Sequence, residues 1–369
     1  MVDSSPSQKN KKPDGVYVIA EAGVNHNGSL DTGLDLVDAA ADSGADAVKF
    51  QTFRAEAVVT SGAPKATYQE RQTGTEQSQL EMLKALELDA ESHFALFKKC
   101  QERGIEFLST AFDEESLLLL VDGVGVKRLK APSGELTNGP LLLSMSRTGL
   151  PIILSTGMAD LDEIRDALAL IAFGYLGKDE PKQSTLLKVY ESEEGQKELS
   201  KKVTLLHCTT EYPAPLEDVN LSAMNTLGKE FGLRVGYSDH TLGSTIPVAA
   251  VAMGATVMEK HLTLDRSMAG PDHAASLEPG EFQEMVAMIR ETESAIGDGV
   301  KQPAPSELKN KTMARRSLVA FRAIKKGEIF SAENMGALRP DTGMSPMKYW
   351  DVLGKPASRD YVAEDPIEE

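Results

Sequence analysis

Short runs rich in β-branched and aromatic residues alternate along the chain with longer segments in which apolar residues recur at helical spacing. This alternation is typical of repeated strand–helix units around a parallel sheet. The predicted strands are Val16–Gly23, Ala47–Phe53, Ile105–Phe112, Val126–Pro132, Pro151–Gly157, Val203–Thr209, Arg234–His240 and Thr256–Thr263. The main predicted helices are Ser29–Ala45, Ala90–Arg103, Leu161–Leu176, Leu221–Phe231, Ser244–Met253 and Pro279–Ile296.

Eight strand–helix units within roughly 280 residues match the size and repeat number of a closed (β/α)8 barrel. A doubly wound open sheet typically uses fewer strands, so the sequence predicts the TIM-barrel fold class. Two segments interrupt the strand–helix alternation. Arg54–Leu88 follows the second strand and should therefore lie on the catalytic face. Gly177–Lys202 follows a helix, so it should lie on the opposite rim, where a structural or solvated role is favoured.

The pattern changes after Gly299. A charged connector, Lys301–Lys311, leads into short segments separated by glycine and proline, which predicts a small C-terminal domain rich in β structure. Such a domain is too short for an independent catalytic role. The predicted organisation is a flexible lead-in over residues 1–14, a catalytic barrel over 15–298, a linker over 299–314 and the small domain over 315–369.

Composition narrows the function classes. The 369 residues carry a formal net charge of −17, which argues against a nucleic-acid partner because such binding depends on clustered lysine and arginine. The two cysteines, Cys100 and Cys208, are too few for a disulfide framework and indicate a reducing cytoplasm. The apolar stretch Pro247–Met258 is too short to cross a bilayer, so no membrane role is expected.

Two histidines at the ends of neighbouring predicted strands are the most specific local signal. Taken alone, His240 or His261 could be a hydrogen-bonded core residue. Imidazoles converging from adjacent strands can instead share one divalent ion and leave open positions for substrate oxygen. Glu259 shares a strand face with His261 and is a candidate third ligand or supporting group. The role of His207 stays open between a ligand and a structural residue.

A second group combines cations with hydroxyls at the strand ends. Its members are Lys49, Thr110, Lys130, Ser133 and Ser155. Inward-pointing lysines and hydroxyls suit a ligand with a phosphate and a carboxylate, whereas the alternative is that the lysines pair with barrel carboxylates. Glu21 ends the first strand and could act as a general acid, as a general base or as an orienting group.

Seven motifs, read together and in order, resemble the sialic-acid (nonulosonate) synthase family. They are Ala20–His26, Val48–Thr52, Lys130–Glu135, Leu154–Met158, Gly236–Thr241, Glu259–His261 and Gly270–His273. The segment Arg315–Ile367 is similar to the C-terminal antifreeze-like (SAF) domain of the same family. The resemblance therefore covers nearly the whole chain.

The resemblance implies condensation of phosphoenolpyruvate with the open-chain aldehyde of an N-acylated amino sugar, giving a nine-carbon 2-keto acid and phosphate. It also implies a divalent ion, Mn²⁺ or Mg²⁺, and a domain-swapped homodimer. The implied metal ligands are His240 and His261, and the implied phosphoenolpyruvate site is Lys49, Thr110, Lys130, Ser133 and Ser155. Catalytic roles are implied for Glu21, Glu259 and Asp272, and sugar contacts for Gln51, Thr210, Tyr212, Asp272 and Arg339, the last reaching a partner's barrel.

Individual residues and short runs indicate which acceptor sugar is used. Thr210 stands where many N-acetylneuraminate synthases carry asparagine, and the runs His207–Pro215 and Gly270–Pro279 look more similar to bacterial synthases of N,N'-diacetyllegionaminate. This favours a 2,4-diacetamido-2,4,6-trideoxymannose acceptor over N-acetylmannosamine. A Schiff-base aldolase with Lys130 as nucleophile is the rival enzyme, and ice or surface binding by the C-terminal domain is the rival outside catalysis.

Overall fold

The computed structural model describes residues 15–74, 76–177 and 180–368, without the side chain of Gln183. Eight parallel strands close into a barrel in sequence order, which confirms the predicted fold class. The strands are β1 (Tyr17–Gly23), β2 (Ala47–Thr52), β3 (Glu106–Ala111), β4 (Leu129–Ala131), β5 (Ile152–Ser155), β6 (Val203–His207), β7 (Arg234–Asp239) and β8 (Val257–His261). The predicted flexible lead-in over residues 1–14 lies outside the described residues.

Helices connect the strands and cover the outside of the barrel. In the first half they are α1 (Leu30–Asp42), α2 (Ala55–Val58), α3 (Thr67–Thr73), α4 (Gln79–Leu86), α5 (Ala90–Arg103), α6 (Glu114–Leu118) and α7 (Gly139–Arg147). In the second half they are α8 (Leu161–Leu176), α9 (Gln183–Glu191), α10 (Glu193–Lys202), α11 (Ser222–Phe231), α12 (Thr245–Ala252) and α13 (Pro279–Ile296). A π-helical turn, Leu119–Val124, continues α6.

Local sequence explains where several of these helices begin and end. Asp89 and Asp160 accept hydrogen bonds from the first-turn N–H groups of α5 and α8. Gly104 and Gly232 end α5 and α11 in the left-handed conformation, with φ of 68° and 64°. These signals lie within a few residues of each helix, and the predicted bounds of α5, α8 and α13 agree with the structure.

The two segments that interrupt the strand–helix rhythm are helical, although their sequence pattern did not indicate it. Arg54–Leu88 contains α2, α3 and α4, and Gly177–Lys202 contains α9 and α10, which pack against α8. The predicted strands were also too long, as Val126–Pro132 reduces to Leu129–Ala131. Apolar residues beyond a strand end continue into buried loops, so hydrophobicity alone overextends a strand.

The barrel interior is divided into an apolar layer and a polar layer. The apolar layer is Ile19, Ala47, Leu108, Ile153, Leu206 and Val257, all buried. Two residues further along the chain from each of these positions stand Glu21, Lys49, Thr110, Ser155, Cys208 and Glu259, all within the strands except Cys208, which directly follows β6. Because side chains alternate across a strand with a period of two, both layers face inward and the second lies nearer the carboxyl ends. The intervening residues, such as Ala20, Val48 and Met258, pack outward in the main core.

The chain divides into two compact units between Gly297 and Asp298. The second unit contains α14 (Pro305–Ala314), which lies in the segment predicted as a linker, and the antiparallel strands β9 (Ser317–Ala320) and β10 (Met335–Leu338). A short helix, α15 (Tyr349–Val352), follows. This unit has its own buried core, which includes Leu318, Ile324, Phe330, Met335 and Tyr361. Within the described part of the chain, no helix combines the length and apolar character needed to cross a membrane.

Candidate active site

A cavity of about 260 Å³ opens at the carboxyl ends of the strands, above the apolar layer. All but one of the predicted site residues line it: Glu21, Lys49, Gln51, Thr110, Lys130, Ser133, Ser155, Thr210, Tyr212, His240, Glu259, His261 and Asp272. The exception is Arg339, which lies exposed in the second unit, just after β10. The strand register thus brings together side chains that are up to 251 residues apart in the sequence.

Two buried lysines form the cationic side of the cavity. The Lys49 ammonium donates to Thr110 Oγ1 at 3.3 Å, and the Lys130 ammonium donates to Ser155 Oγ at 2.8 Å. Burial lowers the pKa of Lys130 although Glu259 opposes the shift. For Lys49 the carboxylates of Glu21 and Glu259 outweigh burial and raise the pKa. Each ammonium therefore has a hydroxyl beside it that can share an anionic ligand.

Two buried carboxyl groups lie next to these lysines, and their pKa values are shifted in opposite directions. Glu21 Oε2 lies 2.6 Å from Lys49 Nζ, yet burial raises the pKa of Glu21 to about 7, against the pull of Lys49 and with the help of Glu259. Glu259 accepts from Ser238 Oγ at 2.8 Å and lies 3.5 Å from Lys130 Nζ. Burial would raise the pKa of Glu259, but Lys130 and Lys49 hold it well below its usual range. Glu21 is thus the carboxyl that exchanges protons near neutral pH.

The two predicted metal ligands lie next to each other at the carboxyl ends of the neighbouring strands β7 and β8. The His240 and His261 ring centroids lie 5.5 Å apart. Burial lowers the pKa of both imidazoles, so both are neutral at pH 7 and carry a lone pair. His240 Nδ1 donates to the Thr209 carbonyl at 2.6 Å, which leaves the lone pair of the neutral ring on Nε2, and the buried Nδ1 of His261 has no hydrogen-bond partner.

This pair fits a divalent ion as two of its ligands. In residues 15–74, 76–177 and 180–368, no group of three or more His, Cys, Asp or Glu side chains is placed to hold a metal. Two neutral imidazoles beside an open cavity leave the remaining positions to water or substrate oxygen, as catalytic metal sites require.

Close packing around the Gly157 backbone shapes the part of the cavity that follows β4, β5 and β6. A Cβ at Gly157 would come within 2.5 Å of Thr210 Oγ1 and 3.0 Å of Cys208 Sγ, so only glycine fits there. The Gly157 N–H donates to Ser133 Oγ at 2.9 Å. Because this hydroxyl oxygen already accepts a bond, its hydrogen is free for an anion or for Cys208 Sγ, which is 3.2 Å away.

Aromatic and acidic groups also line the cavity. The Tyr212 ring lies 4.1 Å from the His240 ring and 4.8 Å from the Tyr68 ring, measured between centroids. Burial raises the pKa of Asp272 to about 6, although Lys49 opposes the shift. A hydroxyl-rich ligand here would meet an amphipathic ring and a carboxyl that can both donate and accept hydrogen bonds.

Several cavity residues were not singled out from the sequence. Ser238 and Cys208 were given no role in the site, although Ser238 is a polar residue at a strand end and shares a strand face with His240 by the period of two. Tyr68 comes from α3, whose segment was expected on this face without any residue being chosen. Conversely, His207 is structural, because its Nε2 bonds the Val219 carbonyl at 2.8 Å.

Comparison with known proteins agrees with this geometry and confirms the resemblance seen in the sequence motifs. The NeuB family matches residues 36–301, and the SAF domain matches residues 315–369. The N,N'-diacetyllegionaminic acid synthase of Campylobacter jejuni subsp. jejuni serotype O:2 is 48% identical over 352 residues, covering 95% of this chain and 98% of that protein. The enzyme of that name from Legionella pneumophila subsp. pneumophila is 47% identical over 338 residues, covering 92% and 89%.

A solved structure extends the likeness to three dimensions. The N-acetylneuraminic acid (sialic acid) synthetase of Leptospira borgpetersenii serovar Hardjo-bovis, crystallised with citrate, superimposes with a TM-score of 0.64 at 33% identity. It covers 80% of this chain and 90% of that one. Family match, identity and fold agree, and the chain belongs to the NeuB family, with a SAF domain at its C-terminus.

Proposed function

We propose that the chain is a transferase that condenses phosphoenolpyruvate with the open-chain aldehyde of an N-acylated amino sugar. The products are a nine-carbon 2-keto acid and phosphate. The observation that carries the proposal is one cavity in which two buried ammonium groups, Lys49 and Lys130, stand with hydroxyls opposite two neutral imidazoles. Phosphoenolpyruvate brings a phosphate and a carboxylate to the first side, and the aldehyde oxygen of the sugar suits the second.

The chain's own residues have distinct tasks in this reaction. Lys49 and Lys130, with Thr110, Ser133 and Ser155, hold the phosphate and carboxylate, so that the enol carbon faces the aldehyde. A bound Mn²⁺ or Mg²⁺, held by His240 and His261, would polarise the aldehyde oxygen.

The new carbon–carbon bond leaves the former aldehyde oxygen in need of a proton. Protonated Glu21, with a pKa of about 7, can donate it. Ionised Glu21 can then accept the proton released when water adds at C2, after which the C–O bond to phosphate breaks. Glu259 stays ionised and keeps both ammonium groups in place.

For the acceptor we propose 2,4-diacetamido-2,4,6-trideoxymannose. Two relatives, 48% and 47% identical to this chain, are N,N'-diacetyllegionaminic acid synthases, and their name supports this acceptor. N-acetylmannosamine is the alternative, since the human N-acetylneuraminate-9-phosphate synthase is 31% identical over 341 residues. We place the enzyme in the cytoplasm, because Cys100 and Cys208 are both free and buried.

The test incubates purified protein with phosphoenolpyruvate, Mn²⁺ and each sugar. We expect phosphate release that requires a sugar, together with a nine-carbon keto acid of the expected mass. The variant Lys49→Met should abolish this release, whereas Lys98→Met, on the exposed face of α5, should leave it unchanged. Phosphate release without any keto acid would contradict the proposal.

A lysine whose pKa is lowered by burial is also what a Schiff-base aldolase needs, and Lys130 has that property. Borohydride with pyruvate distinguishes the two reactions. Covalent trapping of pyruvate on Lys130 would favour the aldolase, and the proposed condensation predicts no trapping.

A further inference from the structure

One buried side chain of the cavity has no task in the proposed mechanism. Cys208 directly follows β6, is 5% exposed and lines the cavity. Its inward position is occupied on five other strands by charged or hydroxyl side chains, namely Glu21, Lys49, Thr110, Ser155 and Glu259. A free cysteine often behaves as a small apolar residue in a protein interior, and this is the structural alternative for Cys208.

Cys208 is in hydrogen-bonding contact with a residue of the predicted anion site. Its Sγ lies 3.2 Å from Ser133 Oγ. Ser133 Oγ in turn accepts from the Gly157 N–H at 2.9 Å. A Cβ at Gly157 would lie 2.9 Å from Ser133 Oγ and 3.0 Å from Cys208 Sγ, so the three groups pack directly against one another.

A count of hydrogens and lone pairs defines what Cys208 can do. A serine hydroxyl has one hydrogen and two lone pairs on its oxygen, and a thiol is a weak donor and a weak acceptor. The Gly157 N–H occupies one lone pair of Ser133 Oγ. The contact with Cys208 therefore either uses the single hydrogen of Ser133 or fills its second lone pair with the S–H hydrogen.

A bound anion decides between these two arrangements. Burial raises the pKa of the Cys208 thiol, although the Ser133 hydroxyl and the Lys130 ammonium oppose the shift, so the S–H group is present at neutral pH. An anionic oxygen accepts hydrogen bonds far more strongly than a thiol sulfur, so an anion in the cavity takes the Ser133 hydrogen. The S–H group is then left to donate to the second lone pair of Ser133 Oγ.

We propose that Cys208 is a positioning residue, whose S–H donates to Ser133 Oγ and so directs the Ser133 hydrogen to the phosphate or carboxylate of phosphoenolpyruvate. This inference rests on the proposed function. The donors form a chain from Cys208 through Ser133 to the anion, and each bond polarises the next. Without the S–H group, Ser133 Oγ keeps a free lone pair, and its hydrogen is no longer fixed toward the cavity. Cys208 thus acts on the substrate only through Ser133.

Two substitutions at Cys208 separate donation from packing. Cys208→Ser keeps a donor of similar size, whereas Cys208→Ala keeps an apolar side chain and removes the donor. Calorimetric titration should show the Kd for phosphoenolpyruvate raised about 3- to 10-fold in Cys208→Ala, as for the loss of one neutral hydrogen bond, and unchanged in Cys208→Ser. KM for the sugar should stay unchanged in both. If Cys208 only packs, the order reverses, because a hydroxyl is costlier to bury than a methyl group.

A double-mutant cycle tests whether the effect passes through Ser133. Ser133→Ala removes the hydroxyl, so adding Cys208→Ala to it should raise the Kd for phosphoenolpyruvate no further. The matched control is the other cysteine. Cys100 is free and buried on α5 but does not line the cavity, so Cys100→Ala and Cys100→Ser should both bind phosphoenolpyruvate as the wild type does.

The direction of the hydrogen bond has a spectroscopic signature. Cys208 carries the only thiol of the Cys100→Ala variant, so its S–H stretching band can be followed by Raman spectroscopy. The band should move to lower frequency when phosphoenolpyruvate binds, because donation weakens the S–H bond.

The outcomes separate the inference from the function on which it rests. Wild-type affinity in Cys208→Ala, weaker binding in Cys208→Ser than in Cys208→Ala, or an S–H band that phosphoenolpyruvate does not move overturns the role of Cys208. A further rise in Kd when Cys208→Ala is added to Ser133→Ala also overturns it. In each case, condensation by the wild type leaves the proposed function standing. A wild type that binds no phosphoenolpyruvate and forms no keto acid contradicts the proposed function itself.

Discussion

A buried ion pair between β7 and β8 provides a strict test of the barrel's architecture. Lys260 Nζ lies 2.6 Å from Asp239 Oδ2, and both side chains are 0% exposed. Lys260 also donates to the Thr241 carbonyl, and Asp239 accepts from the Thr241 N–H at 3.1 Å. The pair lies outside the cavity lining, since Lys260 points away from its neighbours Glu259 and His261.

The geometry sets the size of the effect. At 2.6 Å and an effective dielectric constant of about 20, the attraction is roughly 6 kcal/mol, which offsets the burial of the two charges. Burial still lowers the pKa of Lys260, so the offset is incomplete. Removing one partner leaves a buried charge alone, and we expect Lys260→Met or Asp239→Asn to lower the free energy of unfolding by about 3–5 kcal/mol.

A double-mutant cycle measures the coupling. The double variant Lys260→Met/Asp239→Asn leaves no uncompensated charge and should lose much less than the sum of the two single losses, with a coupling of about 2 kcal/mol or more. Urea unfolding followed by far-UV circular dichroism reports on the barrel. The single tryptophan, Trp350, lies in the second unit, so circular dichroism and not tryptophan fluorescence is the signal that follows the barrel.

The control cycle uses Lys98 and Glu102 on α5, whose nitrogen and oxygen lie 3.9 Å apart with side chains 77% and 58% exposed. Solvent screens this pair, so its coupling should be too small to resolve. Additive losses for Lys260 and Asp239, equal to a simple sum, would refute the conclusion that their charges compensate each other inside the barrel.

Three further predictions concern the site. Chelation should abolish phosphate release and added Mn²⁺ should restore it, and His240→Ala should abolish it with an unchanged circular dichroism spectrum; full activity after thorough chelation would contradict the metal role. Arg339→Ala should raise KM for the sugar far more than for phosphoenolpyruvate, because this residue is predicted to reach the acceptor in a partner's barrel, and equal effects on both would remove that contact. Burial raises the pKa of Asp272 from 3.8 to about 6, so folding favours its protonated form and its contribution to stability is lost as pH rises from about 4 to 6. Asp272→Asn should therefore gain stability relative to wild type over that range in urea unfolding, and a pH-independent difference would show that the carboxyl titrates normally.

Much of the fold and of the candidate site could be predicted from the sequence, because the relevant patterns are local. Strand–helix alternation predicted the barrel, and the period of two placed Glu259 and His261 on one strand face. Parallel strands end at the same rim, so polar residues at eight strand ends had to converge. Thirteen of the predicted residues line one cavity for that reason.

The helices of segment 54–88 could not be predicted with equal ease. α2, α3 and α4 are short, and isolated helices of this length are marginal in water. Their stability comes from packing, as in the contact of Met82 and Leu86 with Phe53. The packing of this segment is therefore a property of the folded chain that no single stretch of sequence reveals.

The sequence by itself determined the barrel, the order of its strands and the kinds of side chain at the cavity, because period and residue type act over a few positions. Only the tertiary structure decided that Lys260 pairs with Asp239 and that Glu21 rather than Glu259 takes up a proton near pH 7. Charge interactions and burial depend on distances of a few ångströms between residues far apart in the sequence, and those distances exist only once the barrel has closed.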